Sequence, residues 1–163
     1  MKDFVYDDGG RLAAGLKPVK TPRDCGVRAI AIAARLPYKE ARTLANRHCQ
    51  RFHRPNESAS KGLYRDTMDS IFEELGWQWV ATMGKGTGCT VHLTPSELPK
   101  GRIVVRLSKH YAAVIDGVLH DLSDSSREGK RCVYGYWQKP PTPAIAGGDG
   151  DALPESLMRH FRF

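Results

Sequence analysis

Residues 110–121 read His-Tyr-Ala-Ala-Val-Ile-Asp-Gly-Val-Leu-His-Asp, and this stretch decides how the second half of the chain folds. Two apolar runs flank Asp116-Gly117. This dipeptide is preferred in two-residue hairpin turns, because both turn positions need a positive φ. The pattern therefore predicts a β-hairpin in which Ile115 lies opposite Val118.

The register of this hairpin brings two polar side chains together. Counting outward from the turn places Ala112 opposite Asp121, so His110 and Asp121 are diagonal neighbours on one face. Such neighbours lie roughly 7–8 Å apart, which a histidine, a hydrogen bond and an aspartate can span. Side chains alternate along a strand, so His120 and Asp124 point to the other face. We expect Asp121 to accept a hydrogen bond from Nδ1–H of His110 and to fix its ring.

A cysteine opens an apolar helix 85 positions before this histidine, in the sequence Asp24-Cys25-Gly26. Residues 25–34 are apolar nearly all round, which is typical of a helix enclosed by other elements. A thiol in the first helical turn experiences unpaired backbone N–H groups and the positive end of the helix dipole, which lower its pKa. We therefore expect a thiolate at Cys25, with His110 as base and Asp121 as the orienting residue. Attack on a carbonyl would form an acyl-enzyme.

Elsewhere, hydrophobic periodicity predicts an α+β fold in which a buried nucleophile helix packs with other N-terminal helices on a C-terminal antiparallel sheet. A single domain is expected over 1–139, and Pro, Gly and alternating acidic residues predict a mobile tail over 140–163. The expected helices are 25–34, 38–50 and 61–75, with one helical turn at 94–97. Strands are expected at 3–6, around 77–80, near 91–93, and at 103–107, 110–115, 118–122 and 132–138.

The charge, the apolar segments and the cysteines of the chain favour some classes of function and exclude others. The net charge of +7 and the pI near 9.4 favour an acidic partner. A cluster of arginines is interpreted as a solvated helix face, because no motif that reads a nucleic-acid groove accompanies it: Arg42, Arg47, Arg51 and Arg54. Nucleic acid is therefore disfavoured as a partner. The first twenty residues lack an apolar signal segment and no stretch is long enough to span a membrane, so we expect a soluble protein of the cytoplasm. The four widely spaced cysteines are expected to be reduced thiols.

These motifs resemble the papain-like fold. Asp-Cys-Gly on a buried helix, followed far downstream by His-Tyr-Ala-Ala-Val-Ile-Asp-Gly and then Asp, is similar to compact bacterial double-glycine leader peptidases and to ovarian-tumour-type deubiquitinases. Asp-Cys-Gly-Val-Arg-Ala-Ile-Ala-Ile-Ala and Val-His-Leu-Thr-Pro-Ser-Glu-Leu-Pro-Lys-Gly-Arg also resemble small uncharacterised bacteriophage-encoded proteins, which would imply a bacterial host cytoplasm. The resemblance covers 21–137. It implies Cys25 as nucleophile, His110 as general base and Asp121 as orienting residue.

The chain departs from the papain-like pattern before the cysteine. Members of this family usually carry an oxyanion-stabilising glutamine five or six residues earlier, where this sequence has Lys20 and Val19. The backbone N–H of Cys25 could supply one oxyanion donor, and Lys20, Thr21 or the backbone of loop 84–88 a second. Substrate contacts are expected from the glycine-rich loop and one aromatic side chain, namely Gly86, Gly88 and Trp137.

The expected reaction is hydrolysis of a peptide or isopeptide bond in a protein or peptide substrate, without metal or organic cofactor. Zinc is disfavoured because neither Cys89 with His92 nor His48 with Cys49 and His53 has a second pair at the required spacing. One alternative is a catalytically weak or inactive interaction protein, such as a phage-encoded inhibitor, that binds an acidic partner. Another is a transferase or deamidase with the same thiolate chemistry.

Overall fold

Residues 3–141 are described by a computed structural model, and they form a mixed α+β fold of three α-helices and a six-stranded sheet. The helices are α1 (Cys25–Ala34), α2 (Tyr38–Phe52) and α3 (Arg65–Glu74), with a 3₁₀ turn at Pro95–Glu97. The strands are β1 (Phe4–Tyr6), β2 (Gln78–Ala81), β3 (Arg102–Leu107), β4 (His110–Ile115), β5 (Val118–Asp121) and β6 (Gly135–Gln138). Their order across the sheet is β1-β5-β4-β3-β6-β2.

The sheet is covered on both faces, and the strands divide their apolar side chains accordingly. One core joins the helices to the sheet and contains Val27, Ile30, Phe72, Val104 and Trp137. A second core on alternating strand positions contains Ile103, Val105, Val114 and Leu119, with Leu93 and Leu98 from the loop before β3. Burial of both faces explains why these strands are nearly continuous apolar runs.

Helix α1 packs against β4 and α2, as its uniformly apolar sequence requires. Its C-terminal end is fixed by Arg102, whose guanidinium donates hydrogen bonds to the carbonyl oxygens of Ile32 and Ala33. A cation at this position also complements the helix dipole. Since Arg102 begins β3, the helix is fixed to the sheet at this end, and its N-terminal Cys25 has a defined position.

The hairpin register follows the turn chemistry. Ile115 pairs with Val118, and Asp116 and Gly117 have φ values of 49° and 82°. These observations confirm the predicted turn and pairing. The predicted bounds of α1 and β4 are also confirmed, and α2 continues two residues beyond the predicted end at Gln50.

Several predicted elements need correction. The sheet is mixed rather than antiparallel, because β1 pairs in parallel with β5. Helix α3 begins at Arg65 instead of residue 61, because a turn closed by the Ser58–Gly62 bridge precedes it. Residues 91–93 form only an isolated bridge from His92 to Cys132, and β6 begins at Gly135. The predicted tail lies almost wholly in 142–163, outside the described residues. Within 3–141, no helix is long and apolar enough to cross a membrane.

Candidate active site

An open cleft of about 830 Å³ lies where the N-terminal end of α1 meets the β3–β4 turn. Cys25 lines the cleft together with His110 and Tyr111. Thr21 and Asn56 lie on the same cleft surface. The structure thus brings the predicted nucleophile and base to one solvent-accessible crevice, although they are 85 positions apart in the sequence.

His110 and Asp121 form the predicted pair through an unexpected ring nitrogen. His110 begins β4 and Asp121 ends β5, so both lie at the open end of the hairpin. His110 Nε2 lies 2.6 Å from Asp121 Oδ2. The predicted contact through Nδ1 is therefore wrong, because the short diagonal across the hairpin lets Asp121 reach the far side of the ring. This leaves Nδ1 available to the thiol of Cys25.

The thiol of Cys25 is in an environment that favours the thiolate. Burial alone would raise its pKa, but the hydrogen bond and charge of His110 oppose this effect. The backbone N–H of Tyr111 and the positive charge of Arg28 add to the stabilisation, and together they lower the pKa of Cys25 below its ordinary value. The helix start predicted this direction, whereas the Tyr111 contact could not be predicted.

The imidazole of His110 responds in the complementary way. Burial would lower its pKa, but hydrogen bonds to Asp121 and Cys25 and the negative charges of both raise the pKa of His110 to about 9. Between the two shifted values, a thiolate beside an imidazolium is the favoured state of the pair.

Asp121 is held by more than the histidine. Its Oδ1 accepts hydrogen bonds from the backbone N–H of Leu122 at 2.8 Å and from Arg28 Nη1 at 3.1 Å. Ser125 Oγ donates to Oδ2 at 3.3 Å. Burial would raise the pKa of Asp121, but His110, Leu122 and Arg28 outweigh this effect and lower the pKa. The carboxylate therefore stays ionised and fixed in orientation.

Arg28 joins α1 to the end of β5 through two buried carboxylates. Its Nε lies 2.9 Å from Asp24 Oδ1, one turn earlier on the same helix, while its Nη1 reaches Asp121. Asp24 Oδ2 also accepts from Arg11 Nε at 2.9 Å and from Tyr38 Oη at 2.5 Å. Asp24, Arg28 and Asp121 are all buried, so the network joins the residue directly before Cys25 to the carboxylate that contacts His110.

This supporting network was missed at the level of sequence. Arg28 is the single charged residue in the otherwise apolar helix 25–34, and Asp24 precedes it by four positions. A lone arginine in a buried helix needs an internal carboxylate, since a buried charge without a partner is very costly. That signal was available for Asp24, but the second partner of Arg28 required the tertiary structure.

The structure places the remaining predicted site residues partly inside and partly outside the cleft. Thr21 lines the cleft, whereas Lys20 is exposed outside it. Gly86 and Gly88 lie in an exposed loop that does not line the cleft. Trp137 is 1% exposed in the core, where its Nε1 donates to Asp69, so it is not positioned to contact a substrate. Aromatic residues near a cleft and in a core are not distinguished by sequence alone.

The prediction of four reduced thiols is wrong for two of them. Cys89 and Cys132 form a disulfide across a sequence separation of 43, while Cys25 and Cys49 are free. Backbone hydrogen bonds from Leu93 to Arg131 and from Val133 to Val91 bring the two loops together. This long-range pairing is not encoded in the spacing of the cysteines. Within 3–141, no group of three or more potential metal ligands was found.

A second histidine–carboxylate arrangement lies between α2 and α3 and is built differently. His48 Nδ1 is 2.7 Å from Ser70 Oγ, and His48 Nε2 is 2.5 Å from Glu74 Oε2. His48 is fully buried, and burial lowers its pKa despite Glu74. None of these three side chains lines the cleft. This arrangement has a structural role in joining the two helices.

The chemistry open to the cleft follows from its geometry. An accessible thiol, a base held by a fixed carboxylate and backbone N–H groups at a helix start are the parts needed for nucleophilic attack on an acyl group. In comparisons with known proteins, no protein-family model, no curated protein and no solved structure matches this chain. A functional interpretation therefore depends on the site itself.

Proposed function

We propose that this protein is a cysteine-nucleophile hydrolase that cleaves a peptide or isopeptide bond with Cys25, His110 and Asp121. One observation carries the proposal: the Cys25 thiol lies beside a histidine whose Nε2 is 2.6 Å from a buried, ionised carboxylate, in an open cleft. This combination supplies a nucleophile, a proton carrier and an orienting group.

The proposed reaction proceeds in two stages. The Cys25 thiolate attacks the substrate carbonyl carbon, and the imidazolium of His110 donates its proton to the leaving amine as the C–N bond breaks. A water molecule then attacks the thioester, His110 accepts its proton, and the C–S bond breaks to release a carboxylic acid. Asp121 stabilises the imidazolium and keeps the ring orientation through both stages.

The oxyanion of each tetrahedral intermediate needs hydrogen-bond donors. The backbone N–H of Cys25 is at the first helical position, where amide groups have no intrahelical partner. We assign the second donor to the cleft side chains Thr21 or Asn56, since Lys20 lies outside the cleft. Removal of one such donor typically lowers kcat by roughly 10²- to 10³-fold.

A papain-like arrangement is part of this proposal. It is supported by a nucleophile at the start of a buried helix, by a histidine and carboxylate on neighbouring strands, and by their order along the chain. Cys25 of α1 and His110 of β4 line the same open cleft, which gives an acyl substrate access to both.

A second candidate is an interaction protein that binds an acidic partner without cleaving it. The observation that favours it is the exposed Lys20, outside the cleft, near the position of the usual oxyanion-stabilising glutamine. Loss of that donor would weaken catalysis and leave binding intact.

Incubation of the protein with a complex peptide pool and with isopeptide-linked conjugates in ¹⁸O-labelled water tests the proposal. We expect new carboxyl ends that carry ¹⁸O, absent with Cys25→Ala and retained with the matched control Cys49→Ala. Cleavage by Cys25→Ala, or no turnover of any acyl substrate by the wild type, would contradict hydrolysis. Amide-to-acid conversion without chain cleavage would indicate a deamidase, and ligation to an added amine would indicate a transferase.

A further inference from the structure

The charge of the cleft is strongly biased. Among residues 3–141, five cationic side chains line it, and no aspartate or glutamate does. They are Arg23, Lys61, Arg65, Arg106 and Lys109.

The cationic side chains come from the segment before α1, from the region that leads into α3 and from the β3–β4 hairpin. Arg23 lies two positions before Cys25, and Lys109 lies directly before His110. Arg106 pairs with Tyr111 across the β3–β4 ladder, next to the same histidine. A substrate whose carbonyl reaches the thiol therefore enters a cleft with cationic side chains close to the reacting pair.

Most of these charges are not neutralised within the protein. Among the described residues, Arg65 has a carboxylate partner, with its Nε 3.2 Å from Asp69, and it lies over the ring of Trp79. Arg23, Arg106 and Lys109 have no carboxylate within 4 Å in this same part of the chain. The guanidinium of Arg106 is instead held over the Tyr134 ring at the cleft surface, 5.5 Å from its centroid.

Uncompensated charge in a cleft attracts an oppositely charged ligand more strongly than the same charge on a convex surface does. The low-dielectric walls focus the field, and charges of one sign raise the local concentration of an oppositely charged ligand. Arg23, Lys109 and their neighbours act on a substrate before and during binding, so the effect reaches both association rate and affinity. Planar guanidinium groups also match carboxylates through paired hydrogen bonds.

We propose that the cleft selects peptide segments with acidic side chains close to the bond presented to Cys25. The inference rests on the proposed function for the position of the scissile bond, but the binding preference does not require cleavage. A peptide is favoured over nucleic acid because the thiol and histidine act on a carbonyl carbon, which a phosphodiester lacks.

Binding is tested with the full chain carrying Cys25→Ala, so that no turnover occurs. Fluorescent decapeptides have a central Gly-Gly flanked on both sides by Glu, Gln or Lys. We expect the Glu peptide to bind most tightly and to weaken as ionic strength rises. The double substitution Arg106→Gln/Lys109→Gln should weaken Glu-peptide binding by roughly 1.5- to 5-fold per lost charge. Arg23→Gln alone should weaken Glu-peptide binding by the amount expected for one lost charge.

A matched control separates the cleft from the overall basic charge. Lys39→Gln/Arg51→Gln removes two exposed charges from α2, outside the cleft, and should leave Glu-peptide binding unchanged. Equal loss in the two double variants, or equal binding of Glu and Gln peptides, would overturn the inference. Tighter binding of a single-stranded oligonucleotide of the same charge would also overturn it.

The outcome is distinguishable from that of the proposed function. Glu-peptide selectivity in Cys25→Ala without cleavage by the wild type would support the acidic-ligand inference and contradict hydrolysis. Cleavage by the wild type without charge preference would support hydrolysis and contradict the acidic-ligand inference.

Discussion

Arg28 and Asp121, 93 positions apart in the sequence, form a buried ion pair in which Nη1 lies 3.1 Å from Oδ1. Both side chains are 5% exposed. The same arginine binds Asp24, which directly precedes Cys25. Arg28 is thus a positioning residue that fixes the helix carrying Cys25 relative to the strand carrying Asp121.

Replacing this arginine should destabilise the protein. Arg28→Met leaves two buried carboxylates without their shared cation, and we expect the free energy of unfolding to fall by about 3–5 kcal/mol. Lys39→Met on the exposed side of α2 is the control and should change it by less than about 0.5 kcal/mol. Urea unfolding curves measure both. Equal stabilities of the two variants would show that the network does not fix α1.

Asp121 should control the titration of His110. Asp121→Asn retains the shape of the side chain but removes its charge, so the pKa of His110 should fall from about 9 toward 6.5. The imidazolium is then lost at lower pH, and the alkaline limb of any activity profile moves the same way. Activity near neutral pH should fall by on the order of 10²- to 10⁴-fold.

Two-dimensional NMR of the histidine ring protons measures this shift. Asp116→Asn in the hairpin turn is the control, since asparagine tolerates a positive φ and can still accept the hydrogen bond from Gly101. A pKa of His110 that is the same in wild type and Asp121→Asn would contradict the assigned role of Asp121.

Gly9 provides a test of how the N-terminal segment supports α1. Its φ is +67°, and an added Cβ would lie 3.1 Å from the carbonyl oxygen and 3.2 Å from Cα of Arg28. Gly86 has a similar φ of +79° with nothing within 4 Å. Both alanine variants carry a conformational cost of about 1–2 kcal/mol.

Gly9→Ala should therefore be less stable than Gly86→Ala, because it alone pushes against the backbone of α1. Thermal unfolding of the two variants side by side isolates this contact. We also expect Gly9→Ala, but not Gly86→Ala, to slow alkylation of Cys25. Equal melting temperatures would indicate that the segment does not support the helix.

The Cys89–Cys132 disulfide should stabilise the fold without changing the reactivity of Cys25. Cys89→Ser/Cys132→Ser opens a loop of 43 residues, and the free energy of unfolding should fall by about 2–4 kcal/mol. Neither cysteine lines the cleft, so the alkylation rate of Cys25 should stay unchanged. A changed Cys25 rate in a folded variant would show that the disulfide reaches the site.

Local chemistry explains what could be predicted from sequence. Asp116-Gly117 specifies its own turn, and the turn fixes the pairing that sets His110 beside Asp121. The apolar run 25–34 likewise determines α1 with its exact sequence bounds. These elements depend on residues close together in the chain.

What could not be predicted depends on distant contacts. The parallel pairing of β1 with β5 and the disulfide both join segments separated by more than forty positions. The choice of Nε2 for Asp121 depends on the orientation of the His110 ring, which the hairpin register alone does not set. Trp137 shows the same limit, since its burial depends on packing against Phe72 and Tyr111.

The alkylation rate of Cys25 as a function of pH tests the central claim most directly. Cys49→Ala removes the other free thiol, whose pKa burial and Glu57 raise to about 11, so that iodoacetamide reports Cys25 alone. We expect a midpoint below the ordinary thiol value of 9.0, and a higher midpoint with His110→Ala because the thiol then loses the hydrogen bond and the charge that oppose burial most strongly. A midpoint at or above 9.0 that His110→Ala leaves unchanged would contradict the thiolate–imidazolium pair.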